Sequence, residues 1–196
     1  MPDLLPFLMF AFATSATPGP NNAMIAASAA HHGLRAVVPH ALGVGLGFGA
    51  MVVLVGLGLA GPLAASPALH LVLRWVGAAW MGWIAWRIAR AGAPGTEDAA
   101  PRMGFLAAAG FQWVNPKAWL IAVAATATYT RSGSPLVPQV LLLAALFGLV
   151  ALPCLAAWAA LGAGAGRLLR APGRARAFNL AMAALLLASI VPMLIR

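Results

Sequence analysis

The chain has 196 residues, of which 63% are hydrophobic and only 8% are charged, with twelve basic residues against three acidic ones. Soluble domains carry about 25% charged residues, so this composition excludes an ordinary soluble protein. The basic residues fall between long apolar runs instead of on one polar face, which excludes a nucleic-acid-binding domain and predicts an all-α integral membrane protein.

Six apolar runs are long enough to cross a membrane. A helix rises about 1.5 Å per residue, so about 20 apolar residues cross a hydrocarbon core of about 30 Å. The runs cover residues 4–30, 38–60, 69–88, 104–129, 136–161 and 178–195. The first run resembles a signal peptide, but its leading segment carries Asp3 instead of a basic residue. We therefore interpret it as a retained first helix.

The distribution of arginine predicts the orientation of these spans. The connections after the first, third and fifth spans hold Arg35, Arg87, Arg90, Arg102, Arg167, Arg170, Arg174 and Arg176. The other side holds only Arg74, Arg131 and Arg196. Because cytoplasmic loops carry an excess of Lys and Arg, we expect both termini to lie outside the cytoplasm.

The two halves of the chain have the same pattern. The first span is interrupted at residues 17–22 and the fourth at residues 113–119, and two uninterrupted spans follow each. Because three is an odd number of spans, the second half would be inverted in the membrane relative to the first. The pattern predicts one structural domain made of two inverted three-helix repeats, residues 1–92 and 104–196, joined by a cytoplasmic linker at 93–103.

The interruptions free backbone groups close to the predicted bilayer midplane. A proline removes the hydrogen bond to the carbonyl four residues earlier, so Pro18 frees Thr14 and Pro20 frees Ala16. In lipid such groups are tolerated only where protein or a water-filled cavity covers them. Paired interrupted helices in two such halves are typical of a transporter binding site.

Polar groups gather where the helices restart. Helix N-termini offer N–H groups and a positive dipole end, Asn115 is a natural N-cap, and Lys117 adds a charge that costs about 2.5–3.5 kcal/mol at mid-bilayer. These groups suit a carboxylate, and the freed carbonyls suit an ammonium group. The predicted substrate-binding residues are Pro18, Gly19, Pro20, Asn21, Asn22, Gln112, Asn115, Pro116 and Lys117.

Other interpretations of these features were weighed. A proline in a membrane helix often produces only a kink, but the matched clusters in both halves favour a site. The GLGLAG match at residues 56–61 has no preceding strand and predicts no nucleotide site. Ser15 and Ser28 lack a histidine partner at comparable depth, and no carboxylate lies inside a span. We therefore predict no enzyme activity, no cofactor and no metal, and interpret Cys154 as a buried packing residue.

Three further sets of residues received structural interpretations. Four tryptophans in the third span indicate helix packing and an aromatic belt at the membrane interface, with a substrate-stacking cage as the alternative. They are Trp75, Trp80, Trp83 and Trp86. The overlapping GxxxG pairs Gly43/Gly47 and Gly45/Gly49 predict close helix packing, either within one chain or across a dimer. We expect His31 and His32 to be solvated in the first loop, and His40 and Gln112 to be able to reach the cavity.

Three motifs in this order resemble a known family: TPGPNN in the first span, VGAAWMGWIAWRIA in the third and GFQWVNPKAW in the fourth. They resemble the LysE/RhtB superfamily of amino-acid exporters over essentially the whole chain, and within it the cysteine/O-acetylserine exporter-like branch. The resemblance implies a six-helix protein of the bacterial inner membrane that exports small amino acids, is driven by the proton-motive force and often forms a homodimer.

The chain departs from this family in its fifth span. Several relatives carry an acidic residue there, whereas this chain reads FGLVALPCLAAWAALG. Without that carboxylate, proton coupling would have to use Lys117, His40 or the ionisation of the substrate itself, or be absent. Lys117 would also repel a cationic side chain, which argues against a dibasic substrate such as lysine.

Together these observations predict an alternating-access exporter of a small neutral amino acid or derivative, such as cysteine, O-acetylserine, homoserine or threonine. Its predicted partners are that substrate, the lipid bilayer and a second copy of the chain, and no nucleic acid. Two alternatives stay open: a passive channel or lipid-handling protein on the same scaffold, and a non-transporting membrane subunit.

Overall fold

The computed structural model describes residues 4–59, 61, 66–96, 99–169 and 171–191. All regular structure in these ranges is helical, so the predicted all-α fold is confirmed. Two stretches there are long and apolar enough to cross a membrane by themselves, Arg35–Leu59 and Leu136–Gly166. The three acidic residues, Asp3, Glu97 and Asp98, lie outside the described residues, as do both chain termini.

Among the described residues, the first half of the chain forms four helices. They are α1 (Leu4–Ala16), α2 (Pro20–His32), α3 (Val38–Leu54) and α4 (Pro67–Ala89). A 3-10 turn at Arg35–Val37 precedes α3, and a π-helical turn at Val55–Leu59 follows it, with Gly58 at a φ of 106°. The break between α1 and α2 falls at residues 17–19, inside the predicted first span.

The second half also forms four helices. They are α5 (Phe105–Phe111), α6 (Pro116–Tyr129), α7 (Leu136–Leu168) and α8 (Pro172–Ala188), with a 3-10 turn at Gln112–Val114 between α5 and α6. The last two helices differ from the predicted spans. Helix α7 continues to Leu168 instead of ending at 161, because no helix breaker follows the apolar run until Pro172. Helix α8 begins at Pro172 instead of 178, because a proline suits the first helical position.

Helix α7 is the centre of the packing, with α1, α2 and α3 against it. Helix α3 also packs on α5, and α4 packs on α8. Phe48 of α3 meets Phe147 of α7 at a ring-centroid distance of 4.8 Å, and Phe147 also contacts Phe7 of α1. These three aromatic rings belong to the apolar cluster that holds α1, α3 and α7 together.

Glycines set the two closest helix contacts, and each contact involves a half-helix next to a break. A Cβ at Gly43 or Gly47 of α3 would collide with the backbone of α5, at Phe105 and Ala109. A Cβ at Gly162 or Gly166 of α7 would collide with the carbonyl oxygens of Ala26 and Ala30 of α2. The close packing predicted for the Gly43/Gly47 pair therefore occurs within one chain.

The tryptophans of α4 face outward. Trp75, Trp80, Trp83 and Trp86 are each between 41% and 58% exposed, and α4 packs mainly on α8. Arg87 and Arg90 lie over the rings of Trp83 and Trp86, at 5.4 and 5.1 Å. This arrangement suits interface anchoring and leaves these tryptophans outside the cavity described below.

The expectation of two solvated histidines after the first span was wrong. His31 and His32 are both half-buried at the end of α2. A ring N–H of His31 donates to Asn179 of α8 at 3.1 Å, and one of His32 donates to the carbonyl of Ala100 at 2.7 Å. Helix α2 extends through both residues, so their side chains are brought against α8 and the linker instead of into water.

Candidate functional site

A cavity of about 70 Å³ lies between the two helix breaks. On this scale a water molecule needs about 10–15 Å³, so the space suits a small molecule of a few heavy atoms. Its polar side is lined by Thr14, Ser15, Gly19, Pro20, Asn21, Asn22, Gln112, Asn115 and Lys117. Its apolar side is lined by Val44, Phe48, Ala118, Ile121, Phe147, Ala151 and Leu155. The cavity wall therefore combines polar groups at the two breaks with apolar side chains of α3, α6 and α7.

The carbonyls that Pro18 and Pro20 free at the first break have side-chain partners. The Thr14 carbonyl accepts a hydrogen bond from the Thr17 hydroxyl at 3.1 Å. The Ala16 carbonyl accepts one from Nε1 of Trp158 in α7, also at 3.1 Å. Buried backbone groups are costly when they are unpaired, so Trp158 stabilises the end of α1 from a different helix.

Asn22 holds the shape of the first break. Its Nδ2 donates to the carbonyls of Ser15 and Thr17, at 2.9 Å each, and the residue is 5% exposed. Both hydrogens of this amide are therefore used by the chain itself. Asn22 positions the break, and its carbonyl oxygen is the part of the amide left for other partners.

Lys117 crosses from the second break to the first. Its Nζ donates to the Thr17 carbonyl at 2.9 Å, to the Thr17 hydroxyl at 3.0 Å and to the Pro18 carbonyl at 3.3 Å. The lysine side chain runs over Gly19, where an added Cβ would lie 2.9 Å from its Cδ. A side chain at position 19 would force the lysine to shift, although the extended backbone of Gly19 (φ −170°, ψ 178°) is itself open to any residue.

The second break satisfies its own backbone groups. Pro116 frees the Gln112 carbonyl, which accepts from the Asn115 N–H at 3.3 Å within the 3-10 turn. Asn115 caps α6 by accepting from the Lys117 N–H at 3.1 Å. The Trp113 carbonyl accepts from Nε1 of Trp119 at 2.8 Å. All of these partners lie within a few residues of the break.

A second contact joins the two breaks. The side-chain amides of Asn21 and Gln112 bond reciprocally, at 2.9 and 3.3 Å. Gln112 is fully buried and also donates to the Ala108 carbonyl at 2.8 Å. Together with Lys117, this amide pair fixes the position of α2 relative to α5 and α6.

The electrostatics of the cavity are positive. Lys117 bonds only to neutral oxygens, and the part of the chain that the structure describes contains no acidic residue. An ammonium group balanced by dipoles alone attracts an anion into a low-dielectric space more strongly than a neutral site does. This charge favours a ligand that carries a carboxylate.

Seven of the nine predicted substrate-binding residues line this one cavity, and Pro18 and Pro116 do not line it. His40 is also absent from the lining. It is 1% exposed, and neither of its ring nitrogens has a hydrogen-bond partner among the described residues. Gln112, which sequence reasoning placed within reach of the cavity, is brought into its wall by the 3-10 turn. The binding role of all these residues stays a prediction.

Sequence reasoning missed the apolar end of the cavity and Trp158. The apolar lining residues of α3 and α7 are not distinguished by any local pattern from the other apolar residues of these helices. They are Val44, Phe48, Phe147, Ala151 and Leu155. Trp158 carries a weak signal, because a tryptophan inside an apolar span needs a partner for its N–H. The partner itself could not be named without the fold.

A family model described as LysE type translocator matches residues 12–194 of the chain. A protein named "Cysteine/O-acetylserine efflux protein" from Escherichia coli (strain K12) is 34% identical over 183 residues, which cover 92% of this chain and 91% of that protein. The protein of the same name from Salmonella choleraesuis (strain SC-B67) is 39% identical over 125 residues, and the match covers 63% of the length of each. No solved structure matches the chain.

Proposed function

This chain belongs to the LysE type translocator family, and we propose that it exports a small neutral amino acid or derivative across the bacterial inner membrane. The observation that carries the proposal is the cavity between two helix breaks, which has a positive polar end and an apolar end. Cysteine and O-acetylserine are the first candidates, because relatives at 34–39% identity are named for their efflux. Homoserine and threonine are of similar size and charge.

The proposed architecture is an inverted repeat of two three-span halves. In this scheme α1 and α2 form the first span, and α5 and α6 form the fourth. The packing supports it: the first span lies against α7 of the fifth, as the fourth lies against α3 of the second. The pairs α3–α7 and α4–α8 each join equivalent spans of the two halves. The arginine distribution supports termini outside the cytoplasm.

The proposed roles of the site residues follow from their contacts. Lys117 and the N-terminal ends of α2 and α6 attract the substrate carboxylate, since helix N-termini and a cation both favour an anion. Asn21, Gln112 and Asn115 supply amide groups that fix its orientation. The remaining residues shape the two breaks and keep the helices interrupted there. They are Pro18, Gly19, Pro20, Asn22 and Pro116. A neutral side chain suits the apolar end, since a cationic one would meet Lys117 without a compensating carboxylate.

The proposed cycle alternates access to this cavity and is driven by the proton-motive force. Lys117 joins the two breaks, so a change in its charge or position alters how the two halves hold together. His40 is the second candidate for coupling, because it is a buried imidazole one helical turn from Val44 in the cavity wall. A homodimer stays a prediction from the family resemblance.

Transport measurements test the proposal. An overexpressing strain is grown on a panel of toxic amino acids and analogues, and resistance to one class identifies the substrate class. Proteoliposomes loaded with that substrate are then tested for counterflow. Stimulation by unlabelled substrate on the opposite side supports a carrier, and uptake without such stimulation would indicate the passive channel instead. No change in resistance or flux for any small neutral amino acid would contradict the proposed function.

A further inference from the structure

Lys117 occupies a place that an external ammonium group would otherwise fit. Its Nζ is surrounded by two backbone carbonyl oxygens and one hydroxyl oxygen of the first break, at 2.9 to 3.3 Å. We call the Thr17 carbonyl, the Thr17 hydroxyl and the Pro18 carbonyl the acceptor cradle. An ammonium group has three N–H donors and no acceptor, so this cradle matches its full donor capacity.

The cradle belongs to the first break alone and is filled from a distance. Lys117 lies 100 residues further along the chain than Thr17, and its own helix begins at the second break. The lysine side chain passes over Gly19, where an added Cβ would lie 3.0 Å from Nζ and would force the lysine to shift. The chain therefore has a cation at Lys117 and a residue without a side chain, Gly19, along the path of that cation to the cradle.

We propose that the Lys117 ammonium is an internal stand-in for the amino group of the substrate. The substrate ammonium takes the three acceptors, and the displaced lysine turns to the substrate carboxylate. This inference rests on the proposed export of amino acids, and it adds where each end of the zwitterion binds. In an empty cavity the lysine also gives the Pro18 carbonyl a partner, and a buried polar group without one is costly in a low-dielectric interior.

The exchange balances its hydrogen bonds and its charge. Before binding, three acceptors hold the lysine ammonium. After binding, the same acceptors hold the substrate ammonium, and the lysine pairs with a carboxylate, which makes a stronger charge-assisted bond than neutral oxygens do. A carboxylic acid without an amino group can pair with Lys117 but leaves the cradle empty, so it binds more weakly than the amino acid.

The first test uses methylammonium chloride and the purified full chain. In the Lys117→Ala variant the cradle is vacant, so methylammonium should raise the melting temperature saturably, because a ligand that binds only the folded state stabilises it. The wild-type protein should show no such rise, since its own lysine fills the site. Tetramethylammonium, which has no N–H donor, should act on neither protein. Adding Thr17→Val to Lys117→Ala removes one acceptor and should weaken methylammonium binding roughly tenfold.

The second test needs no loss of the lysine. Lys117 is the one lysine of the chain, so protein labelled with 15N at lysine Nζ gives one side-chain signal. L-cysteine should shift that signal, because the lysine ammonium leaves the cradle for the substrate carboxylate, and 3-mercaptopropionate, which lacks the amino group, should need a higher concentration to produce a comparable shift. This measurement decides the matter if the Lys117→Ala variant does not fold.

Three outcomes would overturn the proposal. They are an equal response of wild-type and Lys117→Ala proteins to methylammonium, no response in a folded Lys117→Ala protein, and a Lys117 signal that does not change at saturating L-cysteine in a protein that exports it. The methylammonium result does not depend on transport. If the variant binds methylammonium but no amino acid is exported, the cradle stands and the proposed function fails.

Discussion

The two helix breaks occupy matching positions in the two halves but have opposite chemistry. At the first break, carbonyl groups accept from the nearby Thr17 and Asn22 and also from side chains far along the chain, Trp158 and Lys117. At the second break the backbone pairs with its own neighbours, Asn115 and Trp119. The first break therefore acts as an acceptor, and the second supplies a donor.

Under the proposed inverted repeat, this difference would suit a ligand with two unlike ends. Two identical breaks would offer the same groups twice, whereas an amino acid has one cationic and one anionic end. The difference comes from few residues: the TPG segment exposes carbonyls, while the VNPK segment caps its helix and contributes a lysine. The predictions below test how far each break depends on these groups, starting with the largest expected effect.

Replacing the lysine should remove the donor of the second break. We expect Lys117→Met to reduce export to background, because the methionine can neither bond the acceptors of the first break nor attract a carboxylate. Efflux of labelled substrate from cells measures this, with an immunoblot of the membrane fraction to show unchanged insertion. Leu120→Met is a matched control, since Leu120 is 60% exposed on the same helix and outside the cavity. Wild-type efflux from Lys117→Met would contradict the role of the lysine.

Glycines should be equally important beside both breaks. We expect Gly162→Ala to cost about 3 kcal/mol or more, because its Cβ would strike a backbone carbonyl of α2 that cannot change rotamer. Gly47→Ala should do the same to α5. Gly164→Ala is the control, since its Cβ meets nothing within 4 Å. Thermal unfolding in detergent reports the loss, and a stable Gly162→Ala protein would show that the α2–α7 contact can relax.

Removing the tryptophan donor should affect the first break alone. Trp158→Phe keeps a smaller aromatic ring but leaves the Ala16 carbonyl without its donor, and we expect it to lose about 1–3 kcal/mol of stability. Trp80→Phe is the control, because Trp80 is 41% exposed on α4, away from the cavity. Equal melting temperatures for the two variants would mean that another group can satisfy Ala16.

The smallest expected effect concerns the far end of α2. Burial lowers the pKa of His31, while its hydrogen bond with Asn179 opposes the shift and the neighbouring His32 adds to it. The unfolded chain then binds a proton at higher pH than the folded protein does. Stability should therefore fall slightly as the pH drops below about 6.5, and His31→Gln should flatten that dependence. A melting temperature that rises over the same range in the wild-type protein would contradict the sign.

The breaks and the polar residues beside them could be predicted from the sequence because their causes are local. Proline and asparagine act on the backbone within four residues, so TPGPNN and VNPKAW define both interruptions. The lysine could be recognised as functional because a charge inside a span is costly. The carbonyls freed by Pro18, Pro20 and Pro116 could also be named before the fold was known.

Two of those carbonyls have local partners, Thr17 and the Asn115 N–H, but the distant donors at the first break could not be predicted, because they depend on tertiary packing. No pattern in the chain relates Trp158 to Ala16 or Lys117 to Thr17. The pairing of His31 with Asn179 was missed for the same reason, and the sequence indicated only a polar loop. The predicted end of the fifth span at 161 and the predicted start of the sixth at 178 were wrong. An apolar run shows where hydrophobicity stops and not where the helical backbone hydrogen bonds stop.

The distance in sequence between acceptors and donors at the first break also sets an order of assembly. Lys117 lies 100 residues after Thr17, and Trp158 lies 142 residues after Ala16. At a synthesis rate of about 5–20 residues per second, a ribosome delivers these donors roughly 5 to 30 s after the carbonyls. The carbonyls of the nascent first break consequently lack these two donors until the helices that carry Lys117 and Trp158 have been made.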